Sequence, residues 1–599
     1  MKLLVPHFGE ASAADRCLFR LAERLGGECD LLRMEKGIAL SPEFLEKNIR
    51  DSEACLVVNP EVIQRCLASE SFPVDGASYL ISRFPLVLIH NLSSDRMSAS
   101  IVRAFSQGSL DSLASTVGTG ANYEIESNPN GICGAFSSLA FGPAGQKDQV
   151  LLGNLEGIRT HIAIGGRPFF ASATRGRANV FFLASAGLAD LDANIDGKAV
   201  VEYFSPLVPL AMFIRHILGQ RAWLPHEKHA TLIIDDPLLR KEYGFLNYER
   251  LLRLMDQIDF HTNIAFIPHN CRRNSSDVTS MFLKRPDRLS ICFHGNDHTA
   301  IEFATKDASL LNAMLRVAED RMRVHQEKTG VPCNRVMVFP QEKFSREAME
   351  VLQAHAFSGA VCSSPYPLEN RTGLTVGDVI EPAILKYGGF PLFLRKYVSQ
   401  ITPEEIAFNL FFGRPVLIVE HHTVFRDPAC LRELVSRMHA LWPEIQWSNL
   451  QTAVERSQLR RRSEDGKLQI RSFANACEVE NALEIPERFS IEWPGYRGIS
   501  RDRVLLDGSP WRRTDTEDRG EIEVSFELAP KASRGFSIAC RNDFQVSDAN
   551  RRVRWRAKAF LRRRFSEVRD NHLSKNPQLL NVAKALQRAL FAGPVTAGR

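Results

Sequence analysis

KHATLIIDDPLLRKEYG, residues 228–244, opens on a short apolar run, Leu232, Ile233 and Ile234, and ends that run on two adjacent carboxylates, Asp235 and Asp236. A run this short and this apolar reads as a strand buried on both faces, the pattern of a parallel sheet. The two acids then stand at its C-terminal end. Because successive strand residues point to opposite faces, one carboxylate is free to bind a metal while its neighbour acts as a base.

Outward from this strand the same alternation continues as far as Val454. A helix around YERLLRLMDQI is followed by the strands TNIAFIPH and LSICFHGNDH, the helix LLNAMLRVAEDRMRVHQEK, the strand RVMVFPQ, the helix SREAMEVLQAH, the strand GAVCS and finally PVLIVEHH. Polar residues collect at the ends of these strands, where a (β/α) barrel gathers its chemistry. In CFHGNDHT, His294 and His298 are four apart. A helical turn there would set both imidazoles on one face, able to share a cation. Two imidazoles and one carboxylate leave coordination positions open, as a catalytic rather than a structural site requires, and zinc or a related divalent ion suits these donors.

These motifs resemble the polysaccharide deacetylases of carbohydrate esterase family 4, in which an apolar strand ending in two aspartates precedes a His-x-x-x-His and a later strand ends in histidine. IIDDP, HGNDH and PVLIVEHH stand here in that order. The resemblance implies an irregular (β/α) barrel over 228–454. It makes Asp235 the general base, Asp236, His294 and His298 the metal ligands, and His421, or alternatively His422, the general acid. It further implies hydrolysis of an N- or O-acyl group on a glycan or a lipid-linked sugar precursor, with Tyr366, Phe390 and Trp447 as candidate stacking groups. Two departures stand out. Pro237 replaces the glycine usual after the aspartates, and VMVFPQEKFS lacks the arginine that orients the catalytic aspartate, so that Gln341 or Glu342 is left to fill its place. Arg335 comes too early on its strand to substitute. A catalytically inactive glycan-binding or assembly protein that keeps the barrel is the alternative reading.

The remainder of the 599 residues divides by texture. Residues 1–220 alternate short apolar runs with helical patterns and are expected to form a doubly wound α/β domain, flavodoxin-like or Rossmann-like. GICGAF around Cys133 is faintly similar to the nucleophile turn of class I glutamine amidotransferases. Period-two alternation over 468–542 predicts a small β domain. The stretch 551–592 reads as a basic amphipathic helical tail, and RRVRWRAKAFLRRRF at its start carries eight cationic residues and no acidic one. The body ahead of the tail is net acidic.

Such a tail suits an anionic membrane surface, and no nucleic-acid module accompanies it. The N-terminus lacks the apolar core of a secretory signal, and the most apolar stretch, VEYFSPLVPLAMFIRHIL, is broken by two prolines, Glu202 and Arg215. The 12 cysteines form no CxxC pair. A reducing, cytoplasmic and membrane-peripheral setting is the expectation.

Overall fold

His229–Asp235 is a strand buried along its whole length in the computed structural model. The structure describes residues 2–34, 54–68, 75–128, 131–145, 147–185, 187–195, 197–299, 301–369, 373–496, 504–511, 523–539 and 552–572. The strand pairs in parallel with Thr262–Phe266 on one side and Val416–Glu420 on the other. From Thr262–Phe266 the sheet runs through Leu289–Phe293, Cys333–Val338, Gly359–Cys362 and Leu392–Tyr397 to Val416–Glu420, and so closes on itself. Among the described residues seven parallel strands make this barrel, with Gln446–Trp447 added beside the start of the first.

Parallel neighbours need crossovers, and the sequence punctuates the crossover helices. Asn247 accepts the Arg250 N–H at 3.0 Å to start Tyr248–Ile258, which stops where Asp259 turns left-handed. Thr402 and Glu405 cap each other ahead of Pro403–Phe412, and Gly413, at φ 82°, ends it. Ala308–Thr329 runs from its Asp307 cap to the left-handed Gly330.

The N-terminal unit is only half doubly wound. Glu28–Met34, Lys2–Phe8, Ala54–Val58, Leu86–Ile89 and Ala178–Leu183 are parallel neighbours in that order. From Ala178–Leu183 onward the sheet continues antiparallel through Arg167–Arg175, Ile158–Ile164, Tyr123–Ile125 and Ala140–Phe141. The physical reason lies in the connections: Gly165-Gly166 and Gly176, all left-handed, join consecutive strands by tight turns and leave no room for a crossover helix. Cys133 does not sit on a strand-to-helix turn. It precedes a short 3-10 turn and is buried, with its thiol pushed up to about 12 by burial, which removes the amidotransferase-like nucleophile.

Phe204–Leu218 joins this unit to the barrel. With its flanking turns it is long and apolar enough to cross a membrane by length and composition, yet two thirds of its most apolar window (67%) is buried within the protein. Phe213 meets Phe181 of the N-terminal sheet edge-on at 5.0 Å, and the Arg215 guanidinium lies 4.4 Å from the centre of the Phe411 ring on a barrel helix. Trp442 Nε1 donates to the Ala135 carbonyl at 2.7 Å, and Arg24 donates to that of Gly377 at 3.0 Å. One apolar core therefore runs through both units.

Beyond the barrel, the strands Gln458–Arg462, Leu468–Ser472, Glu487–Glu492 and Glu523–Leu528 form one sheet, which Leu224–Pro225 joins at its edge. Ala476–Glu480, Ser533–Ile538, Val504–Leu506 and Ser509–Pro510 form a second. Both sheets contribute to a separate core around Phe489, Ile491, Trp493 and Phe536. A last helix, Arg552–Asn571, follows. Residues 573–592 of the expected tail, including Leu579, Ala583, Leu586 and Leu590, lie outside the described residues.

Candidate metal centre

Asp236 is the first residue past the buried strand and holds a left-handed backbone, φ 78°, as does His298 at φ 54°. Such conformations cost ordinary residues on the order of 1 kcal/mol or more and persist where the surroundings enforce them. Here they accompany a close meeting of ligand atoms. Asp236 Oδ1 lies 3.5 Å from His294 Nε2 and 3.2 Å from His298 Nε2. Tetrahedral donors about 2.1 Å from one zinc ion would stand roughly 3.4 Å apart. Asp236 Oδ1 is also buried, with no hydrogen-bond partner among the described residues. An oxygen in that position, facing two imidazole nitrogens, fits a divalent cation, and the three residues have the donor chemistry to hold one.

The remaining ring nitrogens are accounted for. His294 Nδ1 donates to the Val338 carbonyl at 2.9 Å, which fixes its tautomer and leaves the Nε2 lone pair for a ligand bond. The turn between the histidines is not helical. It wraps around the buried Glu302 carboxylate, which accepts the N–H groups of Asn296 (2.6 Å), Asp297 (3.2 Å) and Thr299 (3.1 Å) and the Thr299 hydroxyl (3.2 Å). Gly295 makes the wrap possible. It is left-handed, and a Cβ there would lie 2.1 Å from Glu302 Oε1. A carboxylate-centred loop, not a helix face, therefore brings the two rings to 4.9 Å between centroids.

Asp235, the last residue of the strand, is gripped by Arg395 through two hydrogen bonds of 2.7 Å. An arginine on Leu392–Tyr397, two strands from Asp235 by way of Val416–Glu420, thus makes the contact expected of the one absent from the Val336–Ser345 stretch. Neither Gln341 nor Glu342 fills its place; both are left-handed, and Glu342 accepts instead from the Tyr397 hydroxyl at 3.4 Å. Arg335 binds Glu319 at 2.6 Å.

His421 stacks on Tyr397 at 6.1 Å and acts electrostatically on Asp235. His422 is packed beneath the 242–247 hairpin. Phe245 N–H donates to its Nδ1 at 3.4 Å, and a Cβ on Gly244 would come within 2.2 Å of the same atom. Of the candidate stacking groups, Phe390 is fully buried core. Trp447 sits beside Ala230, at the opposite end of the first strand from Asp235, against Phe260. Tyr366 packs on the apolar core and is partly buried.

Burial alone would raise both aspartates, but the neighbouring basic groups outweigh it. Arg395 and His294 hold Asp235 below the usual carboxylate range, and His298, His294 and Arg563 hold Asp236 well below it. His298 is pushed down to about 3 by burial, so it is a neutral ring at ordinary pH, as a ligand must be.

The last of those groups, Arg563, was unforeseen. The C-terminal helix lies at the site, and Arg563, 5% exposed, places Nη2 3.3 Å from His298 Nδ1 and Nη1 3.9 Å from Asp236 Oδ1. A guanidinium can only donate, so with the helix seated His298 Nδ1 accepts and the neutral ring carries its proton on Nε2, the nitrogen that would have to give that proton up to hold a metal. Only the basic, amphipathic texture of 551–565 was legible, and texture does not say where a helix docks.

At the C-terminal rim of a closed parallel barrel, an Asp–His–His cluster with an ion-paired second aspartate beside it has the donor set of a divalent-metal site. No protein-family model matches the chain, and no curated protein matches it. Among solved structures, the chain is similar to the carbohydrate deacetylase Agd3 at 8% identity, over 90% of this chain and 98% of that one, with a TM-score of 0.49. It is also similar to a putative polysaccharide deacetylase from Mycobacterium smegmatis at 15% identity, over 38% of this chain and 92% of that one, TM-score 0.27. A family 4 carbohydrate esterase from Streptomyces lividans matches at 11% identity, over 38% and 93% of the two chains, TM-score 0.23.

Proposed function

We propose that this protein is a metal-dependent hydrolase, with zinc as the ion, that removes N- or O-acyl groups from a carbohydrate or its lipid-linked precursor at the cytoplasmic face of a membrane. The observation that carries the reading is the juxtaposition of two aspartates with different partners: Asp236 with two imidazoles, Asp235 with one guanidinium. Adjacent acids in distinct environments suit distinct roles.

Asp236, His294 and His298 would hold the ion, which supplies Lewis acidity toward an acyl carbonyl. Asp235 stays ionised, and the Arg395 fork fixes its plane, so it can take a proton from the attacking water. His421 is the group on the Asp235 side able to return a proton to the departing amine or hydroxyl, with His422 as the second candidate. Water adds to the acyl carbon, the C–N or C–O bond breaks, and a free carboxylate and a free amine or hydroxyl result.

Metal analysis and acetate release from acylated sugars test this directly. Asp236→Ala should lose both metal and activity, whereas Asp235→Asn should keep the metal and lose at least ~100-fold in turnover. Full activity in Asp235→Asn would remove the base from its role. Metal-free protein with undiminished glycan binding would favour the non-catalytic reading.

A further inference from the structure

The two faces of the C-terminal helix have opposite characters. Arg563, Ser566 and Asp570 are buried on its inner face, with Glu567 beside them. Asp570 accepts from the Tyr243 hydroxyl at 2.7 Å and lies 3.7 Å from His422 Nε2. Asn571 accepts from the Gly244 N–H at 2.8 Å, and Glu567 from Arg273 at 2.7 Å. With His298 next to Arg563, these partners lie on the segments that follow four different barrel strands. The helix therefore bridges the rim through which a substrate would reach Asp235 and Asp236. Its outer face is apolar: Phe560, Leu561, Phe565 and Val568 are each about half exposed, with Arg564 among them.

We propose that this helix is a plug that holds the metal centre shut in solution and is released when its outer face enters an anionic lipid surface; the proposal rests on the reading of the barrel as a metal-dependent hydrolase. The inner face is held by ion pairs and polar hydrogen bonds rather than by an apolar seam. Separation therefore returns charged groups to water, which solvates them well, and the seating is reversible. Arg563 brings a positive charge to the cluster that would hold a dication, so seating of the helix and loading of the metal oppose each other.

The outer face asks for a different solvent. Arg564 stands on that face, and besides the buried Arg563 the sequence from 551 to 564 carries seven cationic residues and no acidic one, a composition complementary to anionic headgroups. An acidic polymer would neutralise those charges and leave the Phe560, Leu561, Phe565 and Val568 stripe in water. A lipid interface takes both.

The test uses the full chain with vesicles of phosphatidylcholine alone or with added phosphatidylserine. Binding is followed by flotation, helix seating by hydrogen exchange at the 242–247 hairpin, and metal affinity by competition for zinc. Anionic vesicles should bind the protein, raise hairpin exchange and tighten zinc at least tenfold, while neutral vesicles do none of this. Arg563→Ala, and Glu567→Ala, which removes the Arg273 partner without touching the cluster, should each tighten zinc without lipid. Phe560→Asp with Phe565→Asp should abolish vesicle binding and leave the lipid-free zinc affinity unchanged. Unaltered hairpin exchange on bound anionic vesicles, or unchanged or weaker zinc binding in both the Arg563 and Glu567 variants, overturns the plug. Helix release with tightened zinc but no acetate from any acylated sugar upholds the plug and sinks the hydrolase reading instead.

Discussion

Arg395 and Asp235, 160 residues apart, form a bidentate pair in which neither side chain has more than a trace of exposure. Removing one partner of such a pair strands a buried charge, at a cost of about 3–5 kcal/mol. Arg395→Ala should therefore lower the denaturation midpoint by a large margin. Arg395→Met combined with Asp235→Leu should recover most of that stability while remaining inactive. Arg395→Lys keeps the charge but loses the fork; it should fold and lose turnover more than substrate binding, read as a fall in kcat at similar KM.

The Glu302 loop makes a second prediction. Four donors converge on that carboxylate, and burial raises its proton affinity. Glu302→Ala should free the segment between the histidines and weaken metal binding by about 10–100-fold, the usual effect of losing a group that orients ligands. Gly295→Ala should do the same through a clash at Glu302 Oε1 and a strained φ. Zinc titration of both variants checks this, and wild-type affinity in either would show that the loop does not set the ligand spacing.

Metal should also stabilise the fold. A ligand bound only by the native state, at 100 times its Kd, adds about 2.7 kcal/mol. Chelation should lower the Tm of the wild type and leave that of Asp236→Ala unmoved.

Folding stability should rise with pH between about 4 and 6.5. His90, His161, His261 and His325 are each pushed down to about 4, in every case chiefly by burial. Their folded pKa lies below the unfolded value, so across this window the unfolded chain binds protons that the native one refuses. Each histidine then contributes a slope of up to about 1.4 kcal/mol per pH unit, lost as pH falls. Urea midpoints measured from pH 4.5 to 7 check the sign; a flat profile would contradict it.

The barrel and the residues of its Asp–His–His cluster were legible because their signal is local. LIIDD shows a strand and its acids in one glance, and HGNDH carries both imidazoles. Arg395 was missed because its partner is far away in sequence and its strand, LFLRKY, was not recognised as part of the alternation. A charge within a strand apolar enough to be buried was the available clue, since parallel strands covered on both faces rarely carry one. The helical reading of the His294–His298 turn failed for a related reason: Glu302 organises that loop from within, and spacing alone does not distinguish a helix face from a loop folded around a buried acid. Nothing local in RRRFSEVRDN tells that Arg563 and Asp570 dock on a site more than 250 residues upstream.

The seam between the N-terminal unit and the barrel bears on how this protein can be handled. Phe411, Trp442 and the Phe204–Leu218 helix belong to a core owned by both halves. A fragment cut near residue 228 to isolate the barrel would carry raw apolar flanks and self-associate. The barrel is thus no portable cassette, and dissection, grafting or permutation of this chain must keep the N-terminal unit and the barrel in one piece, together with Leu459, Phe473 and Ala474, which close the barrel's own core.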